Sequence, residues 1–339
     1  WRCDMLPVRI LGTGLYAPGE PIDNLELMRI AGIEFDPVRT EEKLGYKTRH
    51  MAKLRGIDES TLDFAEKAAL AAIAEAGVDA DDIGLFIVGT DTPEYISPST
   101  AVMLQGRIQK KQMLASAFDM AASCASFASA FATASRIMAA DPSVRYALVT
   151  GVYNMPAFVR PMDAFGLMVF ADGAGSFVLG RDETGRSGYI ESAFVTDGTQ
   201  WDYIGVYTGG ARRQPTLELL AEGKWGLENL KRLPADRNLK LWPVVVEDLM
   251  KKAGVGLDQL DHIIFTQINK SLIVDIMSVL GLPMEKTTMV MDKYAYTGSG
   301  CIPMAFHHAV LEGRVKRGDL VAFMASGSGL SVAANLFRY

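Results

Sequence analysis

Cys124 is the residue of this 339-residue chain whose type and setting most directly suggest chemistry. It stands in Asp119-Met-Ala-Ala-Ser-Cys-Ala-Ser-Phe127. An apolar, strand-like run from Met113 to Met120 precedes it, and a run of small residues from Ala125 to Met138 that reads as a helix follows it. A thiol at a strand-to-helix turn meets free backbone N–H groups and the positive end of a helix, both of which favour the thiolate. A thiolate so placed attacks a carbonyl and holds the acyl group as a thioester. The same local pattern also suits a small buried hydrophobe, so the elements around the cysteine have to decide.

Those elements repeat. Residues 76–90, AGVDADDIGLFIVGT, match 253–267, AGVGLDQLDHIIFTQ, without a gap at an offset of 253 − 76 = 177. Each copy follows an amphipathic helix, Thr61 to Glu75 in the first and Trp242 to Lys252 in the second. In the first, Leu62, Ala65, Ala69, Ala72, Ile73 and Ala76 make one apolar face, and Ser60 with Asp63 has the form of a capping box. Phe118-Asp-Met aligns with Met291-Asp-Lys at an offset of 291 − 118 = 173, and the strand from Arg145 to Gly151 aligns with Gly318 to Met324 at the same offset. The alternation of helix and strand predicts an α/β fold of two halves, residues 1–195 and 196–339, related by a pseudo-twofold axis. Val195 to Asn238 reads as a less regular connection. Cys124 then falls opposite the Tyr296–Thr297 turn, and a duplicated α/β enzyme is expected to hold its site where such junctions converge.

Composition narrows the class. The chain is 49% hydrophobic and 22% charged, an ordinary globular balance, and its net charge of −6 argues against nucleic-acid binding. No apolar run reaches the roughly 18 residues of a membrane span. No signal-peptide pattern opens the sequence. Cys3, Cys124 and Cys301 are an odd number without a metal-binding spacing, so free thiols, a cytoplasmic location and no metal are expected.

The repeat, the cysteine turn and a C-terminal glycine loop together resemble the thiolase superfamily, and within it the β-ketoacyl-acyl carrier protein synthase III family. The likeness runs through Ile10-Leu-Gly-Thr-Gly-Leu-Tyr-Ala-Pro18, Gly45-Tyr-Lys-Thr-Arg-His-Met-Ala52 and Phe170-Ala-Asp-Gly-Ala-Gly-Ser-Phe-Val-Leu179. It continues through Val315-Lys-Arg-Gly-Asp-Leu-Val321 and Ser326-Gly-Ser-Gly329. The resemblance implies a thiolase fold, duplicated βαβαβαββ halves in five αβαβα layers. It implies a homodimer, in which the strand Tyr146 to Gly151 or its immediate neighbour pairs across the twofold axis and Tyr95 or Ile96 caps the partner's pocket. It implies acyl transfer through Cys124, an oxyanion hole made by the amides of Cys124 and Ser328, and no permanently bound cofactor. Acyl carrier protein or coenzyme A thioesters would be the donors, and a small molecule the acceptor.

The resemblance also has gaps. The position the family gives to a catalytic histidine is Thr266, and that of its asparagine is Tyr296, while Gln267 and Asn269 keep the neighbouring pattern and are expected to line the substrate pocket. Thr266 is no base near neutral pH, and Tyr296 donates one O–H but is a poor base. His50, His262, His307 and His308 are the only histidines available as substitutes. Arg39 and Ala164 stand where the coenzyme A clamp would be, and Ser271 and Ser278 where basic residues would meet a carrier protein, beside Lys270. Ser326 stands where a large gating aromatic would be, which widens the expected pocket mouth, and Gly327 is expected to line the pocket. Three functions stay open: an acyltransferase working through Cys124 in fatty-acid, polyketide-type or secondary-metabolite biosynthesis; a specialised carbon–carbon condensing synthase that recruits Tyr296 and Thr266; and a non-catalytic partner subunit of a related synthase.

Overall fold

The computed structural model describes residues 7–111 and 114–339; Cys3 and Met113 lie outside the described residues. Strands β1 (Val8–Tyr16), β2 (Ile83–Gly89), β3 (Ser116–Met120), β4 (Tyr146–Tyr153) and β5 (Gly173–Arg181) form one sheet in the order β1-β5-β4-β2-β3. Strands β6 (Gly188–Gln200), β7 (His262–Phe265), β8 (Leu320–Gly327) and β9 (Gly329–Arg338) form a second in the order β7-β8-β9-β6. β2 runs parallel to β3 and β4, and β7 runs parallel to β8, while the remaining neighbours are antiparallel. The order β1-β5-β4-β2 therefore recurs as β6-β9-β8-β7, the duplication that the sequence offsets predict.

Five main helices cover and separate the sheets: α1 (Thr61–Ala76), α2 (Ser126–Ala140), α3 (Arg237–Ala253), α4 (Lys270–Val279) and α5 (Cys301–Leu311). α2 and α5 each touch both sheets, α1 covers the outer face of the first and α3 that of the second, which gives five layers. A helix buried on all sides must be apolar all round. In α2, Ala128, Ala130, Ala132 and Ala134 are buried and allow close approach. The remaining space between the sheets is filled by aromatic rings: Phe127 meets Phe177 edge-on at 4.9 Å, and Phe306 of α5 meets Phe323 at 5.4 Å. At the start of α1 the Asp63 carboxylate accepts the Ser60 N–H at 2.9 Å, as expected of a capping box. The Ser60 hydroxyl instead donates to Glu94 at 2.7 Å, and Glu94 also accepts the Leu62 N–H at 2.8 Å.

Two placements differ from the sequence reading. The strand from Tyr146 is paired on both sides, by β2 and β5, so it offers no edge; the edge strands of the first sheet are β1 and β3. The division drawn at residue 195 falls inside β6, whose partner is β9 of the second sheet. Among the described residues, no helix is long and apolar enough to cross a membrane.

Candidate active site

The parallel strands end on one side of the molecule, where α/β sheets place their sites. β2 leads to Asp91, β3 to Cys124, β7 to Ile268 and Asn269, and β8 to the Ser326–Gly329 loop. Residues from all four ends line a cavity of about 640 Å³. Its outer wall comes from the connection that reads as irregular in sequence, through Trp201, Ile204 to Tyr207, Leu227 and Leu233, with Arg237 as its cation.

The turn carrying Cys124 is tightly bound. Ser123 has φ of 51°, a left-handed conformation uncommon for a residue with a side chain. The hydroxyl of Ser126 accepts the Ala122 N–H at 2.8 Å and donates to the Ser123 carbonyl at 2.5 Å, holding both arms of the turn. Gly327 presses on it from the other half: a Cβ there would lie 2.7 Å from the Cys124 nitrogen and 2.8 Å from the Ala122 oxygen. Only glycine permits that approach. The close fit holds the glycine loop, and Ser328 next to it, against the Cys124 N–H; the Ser328 hydroxyl donates to the Ile204 carbonyl at 2.6 Å.

Cys124 is 8% exposed at the cavity wall. The thiolate expected from the helix end is not its resting form. Burial pushes the thiol above its ordinary value, and the charge of Asp91 pushes it further; hydrogen bonding with Tyr296 and with Ser123 acts in the opposite direction. A helix terminus contributes at most about 2 kcal/mol, or roughly 1.5 pKa units, whereas full burial moves a group by as much as about 3–5 units. Burial wins.

Tyr296 lines the same cavity as Cys124, and burial holds its phenol well above the ordinary value. Asp91 Oδ2 accepts from the Ser123 hydroxyl at 3.0 Å, and the Ser123 oxygen lies 3.7 Å from the Cys124 sulfur. Burial raises Asp91 to about 6.

Matches to known proteins agree with this architecture. Residues 118–198 match the model of 3-oxoacyl-[acyl-carrier-protein (ACP)] synthase III, and residues 250–339 match that of its C-terminal part. A β-ketoacyl-[acyl-carrier-protein] synthase III of Xanthomonas campestris pv. campestris is 32% identical over 98% of this chain and 98% of its own. The chain belongs to the β-ketoacyl-acyl carrier protein synthase III family. The crystal structure of 3-oxoacyl-[acyl-carrier-protein] synthase III from Aquifex aeolicus VF5 superposes with a TM-score of 0.84 at 28% identity, covering 98% of this chain and 100% of that one. The priming β-ketosynthase of the R1128 polyketide pathway shares the fold, with a TM-score of 0.84 at 23% identity, over 98% and 96% of the two chains. The chain is thus an enzyme of the acyltransferase class for which those relatives are named.

Within this synthase III frame the sequence-predicted residues separate. Cys124, Asn269, Tyr296, Ser326, Gly327 and Ser328 line the cavity. Thr266 and Gln267 do not: the Thr266 hydroxyl accepts the Ser326 N–H at 2.8 Å, and the Gln267 amide binds the Phe265 carbonyl and the Val290 N–H. Both hold the loop and strand ends from behind. Tyr95 and Ile96 are 57% and 82% exposed, outside the cavity.

None of the four histidines lines the cavity. His262 is buried against Thr288, with its pKa lowered to about 4 by burial. His50 binds the Gly19 carbonyl. His307 and His308, expected to face solvent, are half-buried and bonded to Thr13 and Tyr294. Sequence reasoning missed Asp91, Ser123 and Ser126. A usable signal was there for Asp91, a carboxylate two residues past the end of a fully apolar strand.

Proposed function

We propose that this synthase III-family chain accepts an acyl group from a thioester onto Cys124 and passes it to an acceptor, in fatty-acid, polyketide-type or secondary-metabolite biosynthesis. The observation that carries this reading is Cys124 at the head of the buried helix α2, opening into a largely apolar cavity with Gly327 packed on its N–H. Backbone amides of Cys124 and Ser328 supply the oxyanion hole, and neither depends on the side chains at Thr266 and Tyr296. The donors are thioesters of an acyl carrier protein or coenzyme A, and no permanently bound cofactor is required. The condensing alternative rests on Tyr296 alone, because Thr266 stands behind the loop. The test is intact-mass measurement after incubation with a panel of acyl-coenzyme A and acyl carrier protein donors. A single acyl adduct supports acyl transfer, and no adduct from any donor supports a non-catalytic partner role.

Tyr296 belongs to the second half of the reaction. Its O–H stabilises the charge that develops on the acceptor during transfer, whereas acylation draws on the Cys124 sulfur and the two backbone amides. Tyr296→Phe is therefore expected to acylate at close to the wild-type rate and to discharge about 10- to 100-fold more slowly, the worth of a hydrogen bond of about 1.5–3 kcal/mol to a charged group. Single-turnover discharge to malonyl-acyl carrier protein and to added amines and alcohols measures it. Equal discharge rates make Tyr296 a space-filler.

The assembly proposed is a homodimer joined through β3, an edge strand that follows the exposed Leu114; Tyr95 and Ile96 are exposed as well. Such an interface should bury more than about 1,000 Å². Analytical ultracentrifugation at micromolar concentration should give a dimer; a monomer removes this assembly.

A further inference from the structure

The positions that the family resemblance gives to a histidine and an asparagine hold Thr266 and Tyr296, and Cys124 rests as a neutral thiol. Its attack on a thioester therefore needs a proton acceptor within the site. Three side chains in sequence supply a connected path: Cys124 Sγ lies 3.7 Å from Ser123 Oγ, and Ser123 Oγ donates to Asp91 Oδ2 at 3.0 Å. Asp91 comes from the end of β2 and Ser123 from the end of β3, so the path is closed by the pairing of those strands. The left-handed φ of Ser123 turns its side chain toward both neighbours. The second carboxylate oxygen, Oδ1, is enclosed and has no hydrogen-bond partner among the described residues. Asp91 also makes no ion pair among them, so nothing there neutralises it except a proton.

We propose that Cys124, Ser123 and Asp91 form a proton relay that activates the Cys124 thiol. This rests on the acyl-Cys124 reading above. As Sγ attacks the thioester carbonyl, the thiol proton passes to Ser123 Oγ while the serine's own hydroxyl proton passes to Asp91 Oδ2. The carbonyl carbon gains the bond to Sγ and loses its bond to the donor sulfur. The departing thiolate recovers the proton through the same path, and Asp91 returns to a carboxylate. The exchange balances as thiol plus thioester giving thioester plus thiol. In the transfer half-reaction the acceptor's proton returns to the Cys124 thiolate.

Asp91 acts through Ser123, so the deciding readout is a pH profile. Burial sets Asp91 near 6, partly offset by the bond from Ser123. Below that value it is protonated and cannot accept. The other titratable groups coupled to Asp91 or Cys124 are Tyr153, Tyr296, Tyr46 and Cys301, all pushed upward by burial, and none of them titrates in this range. Arg237, the cation lining the cavity, stays charged there.

Wild type, Asp91→Asn and Ser123→Gly are compared for acylation by octanoyl-coenzyme A and for alkylation of Cys124 by iodoacetamide, each followed by intact mass across a pH range centred on about 6. Both wild-type rates should rise through about pH 6 and level off. Both variants should lose that limb and fall about 100-fold on the plateau, the usual worth of a positioned base. Ser123→Gly suits the left-handed backbone, and so reports even if Asp91→Asn does not fold. Wild-type rates and profiles in the folded variants overturn the relay. Acylation that proceeds without any variant effect rejects the relay and keeps the acyl-enzyme. Loss of the alkylation limb in the variants, with no acylation of wild type, keeps the relay and rejects the acyl-enzyme.

Discussion

Cys124→Ala is expected to gain no acyl mass from any thioester that acylates the wild-type enzyme. The substitution removes one sulfur from a wall residue and leaves the turn intact, because the turn is held by Ser126 and Gly327 rather than by the thiol. The other described thiol cannot substitute. Cys301 is buried, does not line the cavity, and is pushed up to about 12 by burial. Intact-mass spectrometry of the variant beside wild type decides the matter. A single acyl adduct on the folded variant would place the nucleophile elsewhere.

Gly327→Ala is expected to lower the rate of Cys124 acylation by about 100- to 1,000-fold, the usual consequence of losing one oxyanion donor. The added methyl would meet the Cys124 nitrogen at 2.7 Å and the Ala122 oxygen at 2.8 Å, both main-chain atoms of the braced turn. Backbone cannot yield there as a flexible side chain would, so the glycine loop must move away and carry the Ser328 amide with it. The effect should fall on the rate and not on the presence of the nucleophile: slow reaction with iodoacetamide at Cys124 should persist. An alanine variant that acylates as fast as wild type would show that the loop contributes no donor.

The duplication was legible because it is written in local patterns. The offsets of 177 and 173 between the halves are carried by apolar strands and helix faces, which do not need tertiary information to be recognised. Cys124 was legible for the same reason, as a single strand-to-helix turn. What escaped depends on what lies across a gap in sequence. Asp91 and Ser123 are 32 residues apart and meet only because β2 and β3 pair in parallel. The direction of the Cys124 shift was misread because a helix terminus can be seen in sequence, whereas the depth of burial cannot. Thr266 was placed at the right strand end, but its side chain turns to the Ser326 amide instead of the cavity. The edges of the first sheet were likewise invisible, since they are set by strand order: the strand from Tyr146 is apolar because it is central, and β1 and β3 are left outside.

The most direct test of the account is to locate the acyl group in the wild-type enzyme. The protein is incubated with acyl-coenzyme A and acyl carrier protein donors, digested, and its peptides fragmented. The account predicts one acyl group per chain, on the Cys124 sulfur and on no other side chain. An acyl group found on another residue, or unmodified Cys124 in folded protein after every donor, would contradict it.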